Sequence, residues 1–244
     1  MSGHSKWSKI KRQKEANDLE KSNIFAKLSR AITLAVVEGG GITDPSNNLR
    51  LRLQIEKAKE LNLPKENIKR AIEKGVSAES AQLKHVLYEA FGPAGSVFLI
   101  EGSTDNLNRT MAEVRNTLER KGAKLGNPGS VAYLFRHIGE IAFDITINSE
   151  EKIMEFANEV NAVDFEEEGS ELYVFFPPEQ LGHITQKLGD LIPIVTQSLI
   201  YQPLNYVNLD ENKQKEVYNI VRALEDLEDI AVVHTNVNFS LLNP

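Results

Sequence analysis

The side chains best suited to chemistry in this sequence crowd into its first twenty-one residues, MSGHSKWSKIKRQKEANDLEK. Lys6, Lys9, Lys11, Arg12 and Lys14 follow at short intervals, with Trp7, the one tryptophan of the chain, among them. At 100° per residue these cations fall on all sides of any helix, so no broad apolar stripe remains to bury. Such a segment gains little from a core but suits a polyanion: lysine and arginine neutralise phosphates, and an aromatic ring can stack on an unpaired base. Two plainer readings stand beside this one. Termini are often simply solvated, and a basic segment can pack on an acidic body.

The charge distribution sharpens the question. Residues 1–80 hold 16 Lys+Arg against 10 Asp+Glu, a net +6, whereas residues 81–244 hold 12 against 25, a net −13. An acidic body repels nucleic acid at long range, so phosphate contacts are expected from the N-terminal third. Catalytic signals are weak. The five histidines, His4, His85, His137, His183 and His234, show no metal-ligand spacing and adjoin no nucleophile motif. Gly39-Gly40-Gly41 is followed by no GK[ST], which excludes a P-loop. With no cysteine, disulfides and thiolate sites are excluded as well. The expectation is a protein that is not an enzyme, with no catalytic or metal-binding residue and no cofactor.

The elements that must position the basic segment follow. A helix capped by Ser22 or Asn23 is predicted to run to the triple glycine, a second to carry Leu49, Leu53, Ala58 and Leu61, and a third to start at Pro64 and end at Gly75. Arg50 and Arg52 point about 200° apart on the second helix, so one can face a phosphate row while the other pairs with an acid such as Glu56. After a polar linker, strands are predicted over 82–90 and 96–101. A helix begins at Asp105 or Asn106, and another strand covers 131–135. Residues 139–202 read as βαββαβ: strands at 140–147, 163–167, 171–176 and 192–199, with helices at 149–160 and 178–188. That order is ferredoxin-like. A helix over 210–228 and a strand at 230–234 complete the chain. The fold class is therefore α+β: an N-terminal helical domain followed by two α/β-sandwich domains, the ferredoxin-like one inserted in the other. The expected divisions are residues 1–80, a discontinuous middle domain of 81–138 and 203–244, and 139–202.

Residue matches add a resemblance. Gly3-His4-Ser5-Lys6-Trp7 with Ile10-Lys11 and Lys14 resembles the opening signature of the YebC/PmpR family, which includes the mitochondrial translational activator of cytochrome c oxidase I. So do Leu63-Pro64-Lys65-Glu66-Asn67-Ile68, Thr104-Asp105-Asn106, Asn108-Arg109-Thr110 and Gly129-Ser130-Val131-Ala132-Tyr133-Leu134-Phe135. Many relatives carry Arg or Lys where this chain has Leu107. The resemblance implies three domains and a role as a DNA-binding transcriptional regulator or as a translation factor on ribosomes where peptide-bond formation stalls.

Together these readings give a nucleic-acid-binding regulator of gene expression, with ribosomal RNA and the relief of stalled peptide synthesis preferred. No helix-turn-helix with a basic recognition helix is evident. Duplex DNA is the alternative, and a protein-interaction adaptor the second. Candidate contacts are Lys6, Trp7, Lys9, Lys11, Arg12, Lys14, Arg50, Asn106, Asn108 and Arg109. The last three either present donors at a helix start or serve only to cap and brace it. A cytoplasmic location without membrane contact is expected, and the oligomeric state is open, a monomer being one option.

Overall fold

The structure, a computed structural model, describes residues 18–181, Ile184 and 192–242. It begins in helix α1 (Asp18–Glu38), already running four residues before the expected cap. Neither glycine nor proline interrupts 18–38, so nothing in the sequence stops the helix earlier. The stop is Gly40 and Gly41, at φ 68° and 86°, a left-handed exit open to glycine. Asn48 caps α2 (Leu49–Glu60) by accepting from Leu51 N–H at 3.0 Å, and its amide donates to Ala35 O at 2.9 Å, tying α2 to α1. After Pro64 comes α3 (Lys65–Gly75). Leu28, Ile32, Val36, Leu51, Ile55, Leu63, Ile68 and Ala71 form one buried core for the three helices.

The first sheet has the order β3-β1-β2-β9, from β1 (Lys84–Phe91), β2 (Val97–Thr104), β3 (Lys124–Leu125) and β9 (Ile230–Thr235). Helix α4 (Leu107–Arg120) follows β2. One face of the sheet packs under α4 and α6 (Glu211–Glu225) through Phe98, Ile100, Val114, Leu118, Val217 and Val221. The other face, with Val97 and Leu99, meets Val131, Phe135 and Tyr201.

The second sheet, in the order β5-β6-β4-β7, comprises β4 (Phe135–Asp144), β5 (Asp164–Glu168), β6 (Glu171–Phe176) and β7 (Thr196–Pro203), with α5 (Glu150–Glu159) after β4. In order of occurrence this is 2-3-1-4, all neighbours antiparallel, the ferredoxin-like arrangement. It lies between β3 and β9 in the chain and so is inserted in the first sheet. Short strands β8 (Val207–Asn208) and β10 (Val237–Asn238) pair in parallel.

Several boundaries differ from expectation. Residues 131–134 form no strand. Glu89 accepts the N–H groups of Gly129, Val131 and Ala132 at 2.5, 2.5 and 2.8 Å, which bends the chain into a 3-10 turn, Ala132–Leu134. Strand β4 then starts at Phe135. Strand β7 lies four residues later than predicted. The helix expected over 178–188 opens with a 3-10 turn, Pro178–Gln180, and its described residues Leu181 and Ile184 are helical. Leu181 and Ile184 pack with α5, and the rest of that stretch lies outside the described residues. Ser149 occupies the N-cap position of α5 without a side-chain hydrogen bond to it.

Candidate nucleic-acid interface

Lys6, Trp7, Lys9, Lys11, Arg12 and Lys14 lie outside the described residues. The helical region that follows continues their charge. Lys59 of α2 and Lys65, Lys69, Arg70 and Lys74 of α3 are exposed. Glu73 stands 3.9 Å from Lys69 and Glu66 3.6 Å from Arg70, long and solvent-exposed contacts that neutralise little. Arg50 points elsewhere. It pairs with Glu38 of α1, while Glu56, the acid expected to pair with an arginine of this helix, accepts from Gln197 of β7.

The Asp105–Arg109 cluster is organised from within. Asn106, not Asp105, caps α4, accepting from Arg109 N–H at 3.1 Å, while its own N–H donates to Thr104 Oγ1 at 2.9 Å. Asn108 is exposed. The Arg109 guanidinium donates to Asp105 at 2.9 Å and to Asp229 at 2.8 Å. Asp229 is buried, and its carboxylate also accepts from Thr104 Oγ1 at 3.0 Å, from Thr110 Oγ1 at 2.5 Å and from Arg30 of α1. Arg30 reaches Glu228 at 2.5 Å as well. Burial pushes the Asp229 carboxyl up, but Arg109, Thr110, Arg30 and Thr104 together hold it below the usual carboxylate range. Arg109 thus braces α4 against β9, with Arg30 joining the helical region to the same carboxylate. Nearby, Asn23 donates to Asp226 O at 3.4 Å, and Lys27 donates to Glu225 O.

Close approach of the chain at Asp229 depends on Gly102. A β-carbon there would lie 2.1 Å from Asp229 O, a backbone atom with nowhere to go. The register of β2 against β9 shifts between Glu101 and Gly102, a bulge that re-aims the strand at that point.

A second, half-buried carboxylate sits one residue before that glycine. Glu101 contacts His85 Nε2 of β1 at 2.9 Å and His234 Nε2 of β9 at 3.5 Å. Burial raises its pKa, but the two imidazoles outweigh burial and hold it well below the carboxylate range. The hydrogen bond that His85 donates to Glu101 raises the pKa of His85, although burial opposes it. Tyr201 of β7 lies against His234, with ring centres 5.4 Å apart, and against its cross-strand partner His137, at 4.9 Å. Burial lowers the pKa of His137. A cleft of about 360 Å³ opens where α1, α2, β2, β7 and β9 meet, lined by Arg50, His85, Glu101, His137, Gln197 and Tyr201 among others. Neither this cluster nor Asp229 was found from sequence. The signal available was an acid set among apolar neighbours in β2, Phe98-Leu99-Ile100-Glu101. Among the described residues no group of three or more His, Asp or Glu could hold a metal ion, and no helix is long and apolar enough to cross a membrane.

Three helices, the second and third carrying exposed cations, followed by a sheet interrupted by a ferredoxin-like insertion, define an α+β protein with a segregated basic end. The family models agree: residues 5–78 match the TACO1/YebC protein N-terminal domain, and residues 83–237 match the TACO1/YebC second and third domain. The chain belongs to the TACO1/YebC family. It is 40% identical to a probable transcriptional regulatory protein of Rubrobacter xylanophilus over 98% of this chain and 96% of that one. It is 41% identical to another, from Methylacidiphilum infernorum, over 97% and 95%. The crystal structure of a conserved hypothetical protein from Aquifex aeolicus superposes with a TM-score of 0.80 at 36% identity, covering 90% of this chain and 91% of that one.

Proposed function

We propose that this protein is a non-enzymatic regulator of gene expression that binds nucleic acid through its N-terminal third, and that its target is ribosomal RNA. The observation that carries this reading is the charge segregation, +6 over residues 1–80 against −13 over the remainder. It continues beyond the basic segment onto the exposed cations of α2 and α3. Lys6, Lys9, Lys11, Arg12 and Lys14 meet phosphate, and Trp7 stacks on an unpaired base. Arg50, Asn106 and Arg109 are engaged within the fold and contribute position more than contact, whereas Asn108 is exposed to a ligand. On α3 the cations alternate with Glu66 and Glu73, which favours an irregular RNA surface over a uniformly cationic recognition helix in a DNA groove. Acting there, the protein would work in the cytoplasm on ribosomes stalled in peptide synthesis.

The second reading is a duplex-DNA regulator, favoured by the printed names of the relatives as probable transcriptional regulatory proteins. Co-sedimentation with purified ribosomes across a salt series, beside anisotropy on duplex DNA, separates the two. Saturable binding near one copy per ribosome at physiological salt, lost on deleting residues 1–21, supports the RNA reading. Absent or unsaturable ribosome binding with a sequence-selective duplex complex supports the DNA reading. The variant K9A/K11A/K14A should weaken binding and flatten the salt slope by about one unit for each phosphate no longer neutralised, with stability changed by less than about 1 kcal/mol.

A further inference from the structure

The cleft at the junction of α1, α2, β2, β7 and β9 takes its lining from the helical region and from both sheets. Small molecules bind preferentially between domains, in cavities of about 300–1,000 Å³. At about 360 Å³ this cleft has room for one of them.

The lining narrows the chemistry of such a ligand. Three rings border the cleft, His85 of β1, His137 of β4 and Tyr201 of β7, the last two tilted by 34° with centres 4.9 Å apart. Rings so placed suit a flat π-system. Leu34 of α1, Leu53 of α2 and Leu199 of β7 add apolar surface. Among the described residues the Tyr201 hydroxyl and the His137 ring nitrogens have no hydrogen-bond partner. Gln197 donates through Nε2 to Glu56, while its Oε1 is buried without a donor. A buried acceptor in that state calls for a partner. Glu101, with its side chain 30% exposed, keeps lone pairs for a further donor. The wall therefore offers two acceptors, and one hydroxyl that can give or take. Charge, in contrast, is already matched: Arg50 pairs with Glu38, and His85 with Glu101. A flat, uncharged molecule with apolar faces and N–H groups at its edge answers all of these features. A nucleobase with an exocyclic amine has that chemistry.

We propose that the cleft binds a nucleoside whose base carries an exocyclic amine, with the base against His137 and Tyr201, the amine donating to the Glu101 carboxylate and a sugar hydroxyl donating to Gln197 Oε1. A free nucleoside and an unpaired base of an RNA strand both present this chemistry. The site uses no residue of the basic segment, so it stands or falls separately from the functional reading above.

Equilibrium dialysis of the full-length protein against adenosine, purine riboside and an adenosine trinucleotide tests the proposal. Adenosine should saturate at one per chain. Purine riboside, which lacks only the amine, should bind about tenfold more weakly, the value of one hydrogen bond to a charged group. H137A should weaken adenosine binding about tenfold through lost stacking. Y133A, which removes an exposed ring away from the cleft, should not. Far-UV circular dichroism checks that both variants fold. In the unaltered protein, bound adenosine should protect His137 from diethyl pyrocarbonate, read by mass spectrometry, so the test does not depend on the variants. A trinucleotide that binds far more tightly than adenosine and protects His137 assigns the base to an RNA strand. One that binds no better assigns the site to the free nucleoside. Saturable binding of neither ligand, binding that leaves His137 as reactive as before, or equal affinity for adenosine and purine riboside overturns the proposal.

Discussion

Asp229, buried just before β9, and Glu101, half-buried in β2, are carboxylates separated by little more than Gly102, and their partners differ in kind. Asp229 is held by the guanidinium groups of Arg30 and Arg109 and by two threonine hydroxyls. Glu101 is held by two imidazoles. Guanidinium charge is permanent in the accessible pH range, whereas imidazole charge is not. The joint between α1, α4 and β9 is therefore indifferent to pH near neutrality. The junction of the first sheet with β7 titrates.

The largest expected effect breaks the first of these. D229A removes the acceptor shared by two arginines and by the Thr104 and Thr110 hydroxyls, and leaves the half-buried Arg30 without its interior carboxylate. It should cost about 3 kcal/mol in urea unfolding, by the same amount at pH 5 and pH 8. A loss that varies strongly between those pH values would refute the assignment of a permanent joint. E101Q comes next, at about 1–2 kcal/mol, because a neutral amide still fills the site and accepts one hydrogen bond.

The pH dependence sharpens the contrast. Glu101 has a folded pKa below its unfolded value, so its contribution is present above about pH 4.3 and fades as pH falls toward the folded value. His85 has a folded pKa above its unfolded value, so its contribution is complete below about pH 6.5 and fades as pH rises through the folded value. Between those limits both contribute. H85Q should have the smallest effect, under about 1 kcal/mol, and should flatten the decline of stability above pH 6.5. An unchanged slope in that variant would show that His85 does not carry the titration.

Much of the fold was legible along the chain. The glycine stop after α1, the cap at Asn106, the Asp210 cap of α6, which accepts from Lys213 N–H at 2.9 Å, and strand β6 follow from local side-chain chemistry. The βαββαβ order followed from alternation and turns. What failed locally failed for a tertiary reason: residues 131–134 have strand-like composition, yet a carboxylate forty residues earlier takes their N–H groups. The two carboxylate clusters were illegible for the same cause. Arg30 and Asp229 are 199 residues apart, and each histidine looks solitary until β1, β2 and β9 are laid side by side. The basic segment was the reverse case, conspicuous in composition alone through its run of Lys and Arg.

The position of β9 has a consequence for synthesis. Val97 of β2 donates to Asn236 Oδ1, 139 residues further along, at 2.9 Å, and β2 has β9 as its outer neighbour. The ferredoxin-like sheet lies wholly between them, so it leaves the ribosome complete while β2 still waits for its neighbour. At about 5–20 residues per second the wait is on the order of ten seconds. Throughout it, the apolar run Val97-Phe98-Leu99-Ile100 presents a bare strand edge, the kind of template on which chains aggregate. A nascent chain of this topology therefore depends on shielding by chaperones, and a chain interrupted before residue 230 would keep that edge open for good.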